Sequence, residues 1–383
     1  DSRQPLHNVI PRAERYSLHA RLDANDRTCR NPCPPRALSV GGARLNEALA
    51  TRKGASMPND HHVPRVHLRR FAVPGPGNPP REWFTNAADV STPTRVFPAN
   101  IKNVGAVGDF YTFEGLDGKE TRILESFFGR IEDAAAHVFR VLLDDPKYAL
   151  TDFWPLPPRM RGPLAWYMAA QIVRTTRQRK RLDAWGASRS FTVPGAPAPP
   201  DLATTHARYI ASTLGEVAQA LHVRPWGLGF TSACLPTSDC PVVILNAHDD
   251  EDQVGAALTW DIVFPLDPHR FIFMPDIQMV KDDPEKRVDH RMNLSGVGVA
   301  FVDAIYAAAD RFIYMHPDHT PPLDPSRAPR LPAPGTQGTA PQSVLSYPVL
   351  DDDLTIRARW ASHHLPRGEG KRRAAFTGES FGV

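Results

Sequence analysis

Hydrophobic periodicity runs from about Met57 to about Pro317 and is missing on either side of that span, which sets what this chain can fold into. Residues 1–56 are rich in Arg, Pro, Ala and Asn and hold few large apolar side chains, so ordering them would cost more entropy than their burial returns. Beyond Pro317 the stretch PPLDPSRAPRLPAPGTQGTAPQ is low in complexity, and the tail to Val383 has no core-forming period. Three parts are therefore expected: a disordered leader over 1–56, one domain over 57–317, and a Pro-rich, mostly disordered tail over 318–383. The patterned part opens at Met57, so Met57 is expected to be the true start and residues 1–56 a leader or translated upstream sequence.

Charge follows the same division. Residues 1–56 hold 10 Lys/Arg against 5 Asp/Glu, and residues 355–383 hold 6 against 2. Of the chain's 45 basic and 42 acidic residues this leaves 29 and 35 for residues 57–354, a net charge of −6. A broad nucleic-acid-binding face is not what that balance predicts; a confined basic site is compatible with it, so a nucleic-acid partner stays open. No run approaches the roughly 18 apolar residues of a membrane helix, and no secretory leader opens the chain. A cytoplasmic protein without a membrane partner is expected.

Strand signals lie between Val63 and Phe113, the segment VHLRRFAV being short and mixed while RVFPANI and DFYTFE are aromatic and β-branched. Ile123, Leu124, Phe127, Phe128, Ile131, Ala135, Val138 and Leu142 share one helical face, which predicts a helix over about 121–143. Further helices are predicted over about 163–185, 202–221 and 288–311, with strands at WGLGFTSA, PVVIL, DIVFPL and RFIFMP. The fold class is mixed α+β, a helical core with a small, largely antiparallel sheet.

The polar residues most able to carry chemistry fall in four places. HHVPRVHLRRF holds His61, His62, Arg65, His67, Arg69 and Arg70. Read as extended, as Val-Pro suggests, it places His61, Val63 and Arg65 on one face, with His67 and Arg69 also sharing a face. A histidine beside arginines suits proton transfer next to an anion grip. Glu125 and Glu132, seven apart on a helix, are a candidate acid/base or metal pair; a solvated flank is the plainer reading. Gln171, Arg174 and Arg177 lie at helical spacing and suit either an anionic ligand or ion pairs to a neighbouring helix. Thr237-Ser238-Asp239 precedes Pro241 and suits an Asx-type turn or a contribution to a shared site.

These segments resemble a bacterial family known only as domain-of-unknown-function family 4238. HHVPRVHLRRF carries the family's opening signature, and DFYTFE (109–114), ESFFGRIED (125–133), QIVRTTRQR (171–179), TSDCPVV (237–243) and ADRFIYMHP (309–317) follow in order. The chain departs from the family pattern at His62 and His67, where aromatic residues are usual, and at Cys240, where Asn is usual. The resemblance implies a family assignment and no activity.

An enzyme acting on a phosphate-bearing substrate, by hydrolysis or transfer and nuclease-like in one version, is the first expectation. His61, Glu125 and Asp239 are its catalytic candidates; Arg65, Arg69, Gln171, Arg174, Arg177 and Ser238 are its substrate-binding candidates. A divalent metal is a candidate cofactor without assigned ligands, and the partner is a small-molecule or nucleotide-type anion; oligomeric state is not read. The alternative is a non-catalytic binding or regulatory module whose polar motifs are structural. No G-x-S-x-G elbow, P-loop or H-E-x-x-H occurs. Cys29, Cys33, Cys234 and Cys240 lack four-thiolate zinc spacing, HDDED (248–252) reads as a solvated loop, and His316 and His319 read as chain exit.

Overall fold

A computed structural model describes residues 59–326 apart from 78–79, 116, 145–153, 189–199, 246–256, 258–259, 276–288 and 294–296. The expected leader, the tail beyond 326, Cys29, Cys33 and HDDED lie outside the described residues.

The chain runs β1 (Asn59–His61), α1 (Arg65–Leu68) continued by a 3-10 turn (Arg69–Phe71), β2 (Val73–Pro74), β3 (Trp83–Asp89), β4 (Val96–Asn100), β5 (Ala106–Gly108), β6 (Phe113–Glu114) and β7 (Glu120–Thr121). Next come α2 (Ile123–Phe139) with a π-helical extension (Arg140–Asp144), α3 (Pro158–Val173), α4 (Thr176–Ser188) and α5 (Leu202–Val223). The last part holds β8 (Gly227–Phe230), β9 (Thr237–Ser238), β10 (Val243–Ile244), β11 (Ile262–Asp267), β12 (Arg270–Met274), β13 (His290–Asn293), α6 (Gly298–Ala308) and β14 (Phe312–Met315). One sheet has the order β10-β11-β12-β8-β13, antiparallel except where β13 joins β8. A second has the order β2-β3-β14-β9, with β4 also on β3, all antiparallel. This is the mixed α+β architecture expected, with small, largely antiparallel sheets.

The core forms where α2, α3 and α5 pack together. Phe128, Ala135, Val138 and Leu142 bury the predicted stripe of α2, while Ile123 at its start stays exposed. Asp201 caps α5, its carboxylate accepting from the Thr204 amide at 2.8 Å, and Ile210, Leu214, Val217 and Leu221 face inward. In α3 every residue from Tyr167 to Val173 is buried. A helix covered on all sides cannot leave polar side chains to water, so Gln171 and the adjoining Arg174 must find partners inside. In the first sheet Gly229 stands opposite Phe271, and a Cβ there would lie 2.0 Å from the Phe271 ring; only glycine lets β8 and β12 pair at that point.

Three local expectations need correction. HHVPRVHLRRF is extended only at its start, where His61 ends β1: Pro64, at φ −63°, precedes a helical turn, so His67 and Leu68 point into the core. The Val-Pro step does keep Val63 out of the helix, but Pro64 stands at its N-cap, its carbonyl accepting from the His67 and Leu68 amides, each at 3.0 Å. The helix expected over 163–185 begins at Pro158 and breaks after Val173; the Thr175 hydroxyl accepts from the Gln178 amide at 3.1 Å, and α4 starts anew. The basic residues 177–181 therefore sit at the start of α4 rather than at the end of a longer helix. The helix expected over 288–311 spans only Gly298–Ala308, flanked by β13 and β14. RFIYM pairs with both β3 and β9, and that tertiary pairing outweighs the helical reading of ADRFIYM.

Candidate functional site

The break between α3 and α4 turns Arg174 inward. It is fully buried; its Nη1 donates to Glu132 Oε1 of α2 at 2.9 Å, and its guanidinium lies 4.7 Å from the centre of the Phe128 ring. With its amide oriented toward Arg174, the Gln171 oxygen accepts from Nε at 3.1 Å and from Nη2 at 2.5 Å. The Tyr111 hydroxyl lies near enough to feel the Arg174 charge and donates to the His61 carbonyl at 3.2 Å. Burial works against the Arg174 charge, yet Tyr111, Glu132 and Tyr167 outweigh it and hold its pKa above the ordinary value. Burial pushes the Tyr111 hydroxyl up to about 12 and Tyr167 well above its usual range, so both stay protonated donors at neutral pH.

Two side chains in the field of Arg174 are incompletely bonded. His62 is buried beside Phe110, and burial with the nearby Arg174 charge lowers its pKa to about 3. Its Nδ1 has no hydrogen-bond partner among the described residues. The Tyr167 hydroxyl also has none, although its ring packs edge-on to Phe139 at 5.3 Å. Buried polar atoms are seldom left unbonded, and the exceptions call for a ligand, a water or a catalytic role.

Around this centre the β1 end of the chain is anchored. Asp60 accepts from the Tyr111 amide at 2.9 Å and from Arg122. His61 Nε2 donates to the Ile101 carbonyl at 3.2 Å, and burial lowers the His61 pKa. Arg179 of α4 lies over the Phe110 ring at 3.6 Å and donates to the Phe110 carbonyl and to His206 Nδ1. His206 Nε2 donates to the Val173 carbonyl at 2.8 Å, which pins α5 to the end of α3.

A second polar cluster forms where α6 passes into β14. Asp239 Oδ1 accepts from the Asp310 amide at 2.8 Å, and Oδ2 accepts from the amides of Arg311 at 2.7 Å and Phe312 at 2.9 Å. Burial raises the Asp239 pKa to about 6, with the Asp310 charge adding and the three amides opposing. The Ser238 hydroxyl donates to the Cys240 carbonyl and accepts from the Cys240 amide. Asp310 receives the Thr176 hydroxyl at 2.7 Å and Lys180 at 2.8 Å, and Arg177 lies close enough to act on the buried Cys240 thiol.

Of the residues singled out from sequence, His61, Gln171 and Arg174 meet around Tyr111 and Glu132. Asp239, Ser238 and Arg177 gather in the second cluster. Arg65 and Arg69 are exposed, Arg69 lying 5.0 Å over Trp83, and Glu125 is exposed and pairs with Arg122 at 3.1 Å. The sequence reading did not single out Tyr111 or Tyr167. Tyr167 had a signal available: Tyr167, Gln171 and Arg174 stand at i, i+4 and i+7, one face of one helix.

Fold and site together define an α+β domain built around a buried arginine with tyrosine, glutamine, glutamate and histidine neighbours. A family model described as Protein of unknown function (DUF4238) matches residues 59–319, and the chain belongs to that family. No curated protein and no solved structure matches the chain. No helix among the described residues is long and apolar enough to cross a membrane.

Proposed function

We propose that the domain is an enzyme acting on a phosphate-bearing small molecule or nucleotide, by hydrolysis or group transfer, with the anion held at the Arg174 centre. The observation that carries this reading is that two buried polar atoms in the field of Arg174, His62 Nδ1 and the Tyr167 hydroxyl, have no partner among the described residues. Protonated tyrosines beside a guanidinium form a donor-rich set suited to phosphoryl oxygens, and Glu132 offsets the positive charge until the anion arrives. His61, neutral at pH 7 because burial lowers its pKa, supplies the proton acceptor. In this reading the protein is bacterial and cytoplasmic, a setting supported by free thiols at Cys234 and Cys240.

The test is turnover of a phosphomonoester, phosphodiester and nucleotide panel, with and without divalent metals, by the full chain and by Tyr167→Phe. Because the Tyr167 hydroxyl bonds to no described residue, the variant keeps its fold while kcat/KM falls about tenfold, the value of one lost hydrogen bond to a charged group. No turnover together with no phosphate-induced rise in Tm would overturn the reading. A binding module without turnover is the second reading. It is favoured by Asp239, whose carboxylate is already engaged by three amides, and phosphate binding without turnover would support it.

A further inference from the structure

We propose that Cys234, His269 and His319 form a binding site for a zinc-class divalent cation, separate from the Arg174 centre. Cys234 lies in the loop after β8, His269 in the β11–β12 hairpin turn and His319 beyond β14. Their ligand atoms all lie within 4.8 Å of one another. His269 Nε2 is 3.2 Å from His319 Nδ1, and the Cys234 sulfur is 3.6 Å from the same His319 nitrogen. Tetrahedral zinc, with Zn–N near 2.05 Å and Zn–S near 2.3 Å, sets its ligands about 3.3 Å apart for two nitrogens and about 3.5 Å apart for nitrogen and sulfur. These two separations match, and the third, Cys234 sulfur to His269 Nε2, lies within 4.8 Å.

The surroundings prepare these atoms to bind. The Thr231 carbonyl, 3.1 Å from His269 Nδ1, can only accept, so the hydrogen of the neutral ring sits on Nδ1 and the Nε2 lone pair faces the site. The hairpin that carries His269 is fixed by Asp267, whose Oδ1 accepts from the amides of His269 and Arg270, each at 2.8 Å. His319 is set by the HPDH turn: its amide donates to the His316 carbonyl at 3.0 Å, and the two rings lie 4.8 Å apart. His316 Nδ1 accepts from the Asp318 amide, so His316 braces the turn rather than joining the ligand set.

Three protein ligands leave a fourth tetrahedral position for water or a substrate atom, the arrangement of zinc sites with an exchangeable position. Hydrogen-bond partners 50 and 85 residues apart make this set unreadable from local spacing, and the turn that reads as chain exit supplies a ligand.

The experiment uses the full chain carrying Cys29→Ser and Cys33→Ser, so that any thiolate signal comes from the domain. The reduced protein is titrated with cobalt(II), and zinc content is measured after equilibration. The expected result is one metal per chain, a sulfur-to-cobalt charge-transfer band and tetrahedral visible bands. Cys234→Ser abolishes the charge-transfer band and weakens binding at least about tenfold, and His319→Ala weakens binding comparably, with circular dichroism unchanged in both. Less than a tenth of an equivalent bound, or the same spectrum and affinity in Cys234→Ser, would overturn the site. Neither result bears on phosphate at Arg174, so the two proposals fail separately.

Discussion

Arg174 and Asp239 are each fully enclosed, but their surroundings treat the charge differently. Asp239 meets a ring of backbone amides from three consecutive residues, and both of its oxygens are used. Arg174 meets side chains from several elements, and two of the groups in its field have polar atoms left unbonded among the described residues. A charge held by backbone is tied to one local conformation and fastens the start of β14 to β9. A charge held by side chains from α2, α3 and the loop before β6 can readjust when something else enters. The difference teaches where to look for chemistry: at the charge whose neighbourhood is incompletely bonded.

The sharpest way to break the comparison is Glu132→Gln. It removes the counter-charge of a guanidinium with no access to water, and stability falls by about 3 kcal/mol in urea denaturation, the usual cost of stranding a buried charge. A change below about 1 kcal/mol would show that the tyrosines and Gln171 suffice to hold Arg174.

Asp239 sharpens it through pH. Its folded pKa of about 6 lies above the ordinary carboxylate value, so between those two values the folded state binds more protons than the unfolded one. The group's contribution to stability therefore falls as pH rises from about 4 to 6, a span of up to about 3 kcal/mol. Asp239→Asn removes that slope from a plot of unfolding free energy against pH; an unchanged slope would assign it to other groups.

The two tyrosines should part company. Tyr111→Phe loses the hydrogen bond to the His61 carbonyl and costs about 1 kcal/mol, whereas Tyr167→Phe leaves unliganded stability unchanged or slightly raised. Equal losses in thermal unfolding would mean that both hydroxyls are structural. Smallest of all is Glu125→Ala, an exposed partner of Arg122, expected within about 0.5 kcal/mol of the parent.

What could be read from sequence divides along the same line. The apolar stripes of α2 and α5 are local and, Ile123 apart, face inward, because burying one face of a long helix needs no knowledge of its partner. The break at Arg174 was hidden, since it depends on Thr175 capping α4 and on α3 being enclosed. β14 was hidden for a similar reason: ADRFIYM carries helix and strand signals together, and only β3 and β9 decide between them. Within the polar set, Arg174 with Gln171 was visible as a pair at helical spacing. Tyr111 reaches them from a turn 60 residues earlier, which no periodicity records. The exposed Arg65, Arg69 and Glu125 stood out because charge density is conspicuous in a string of letters, whereas burial is not.

The enclosure of α3 also bears on how the molecule opens. A segment in which seven successive residues are buried has no route to solvent by fraying or by a local ripple of its surface. Its amide hydrogens should be among the slowest in the protein to exchange with deuterium, released only when α2 or α5 swings away. Any ligand that reaches the interior between these helices would have to borrow that same rare opening, so its arrival would be paced by the protein's own breathing rather than by diffusion.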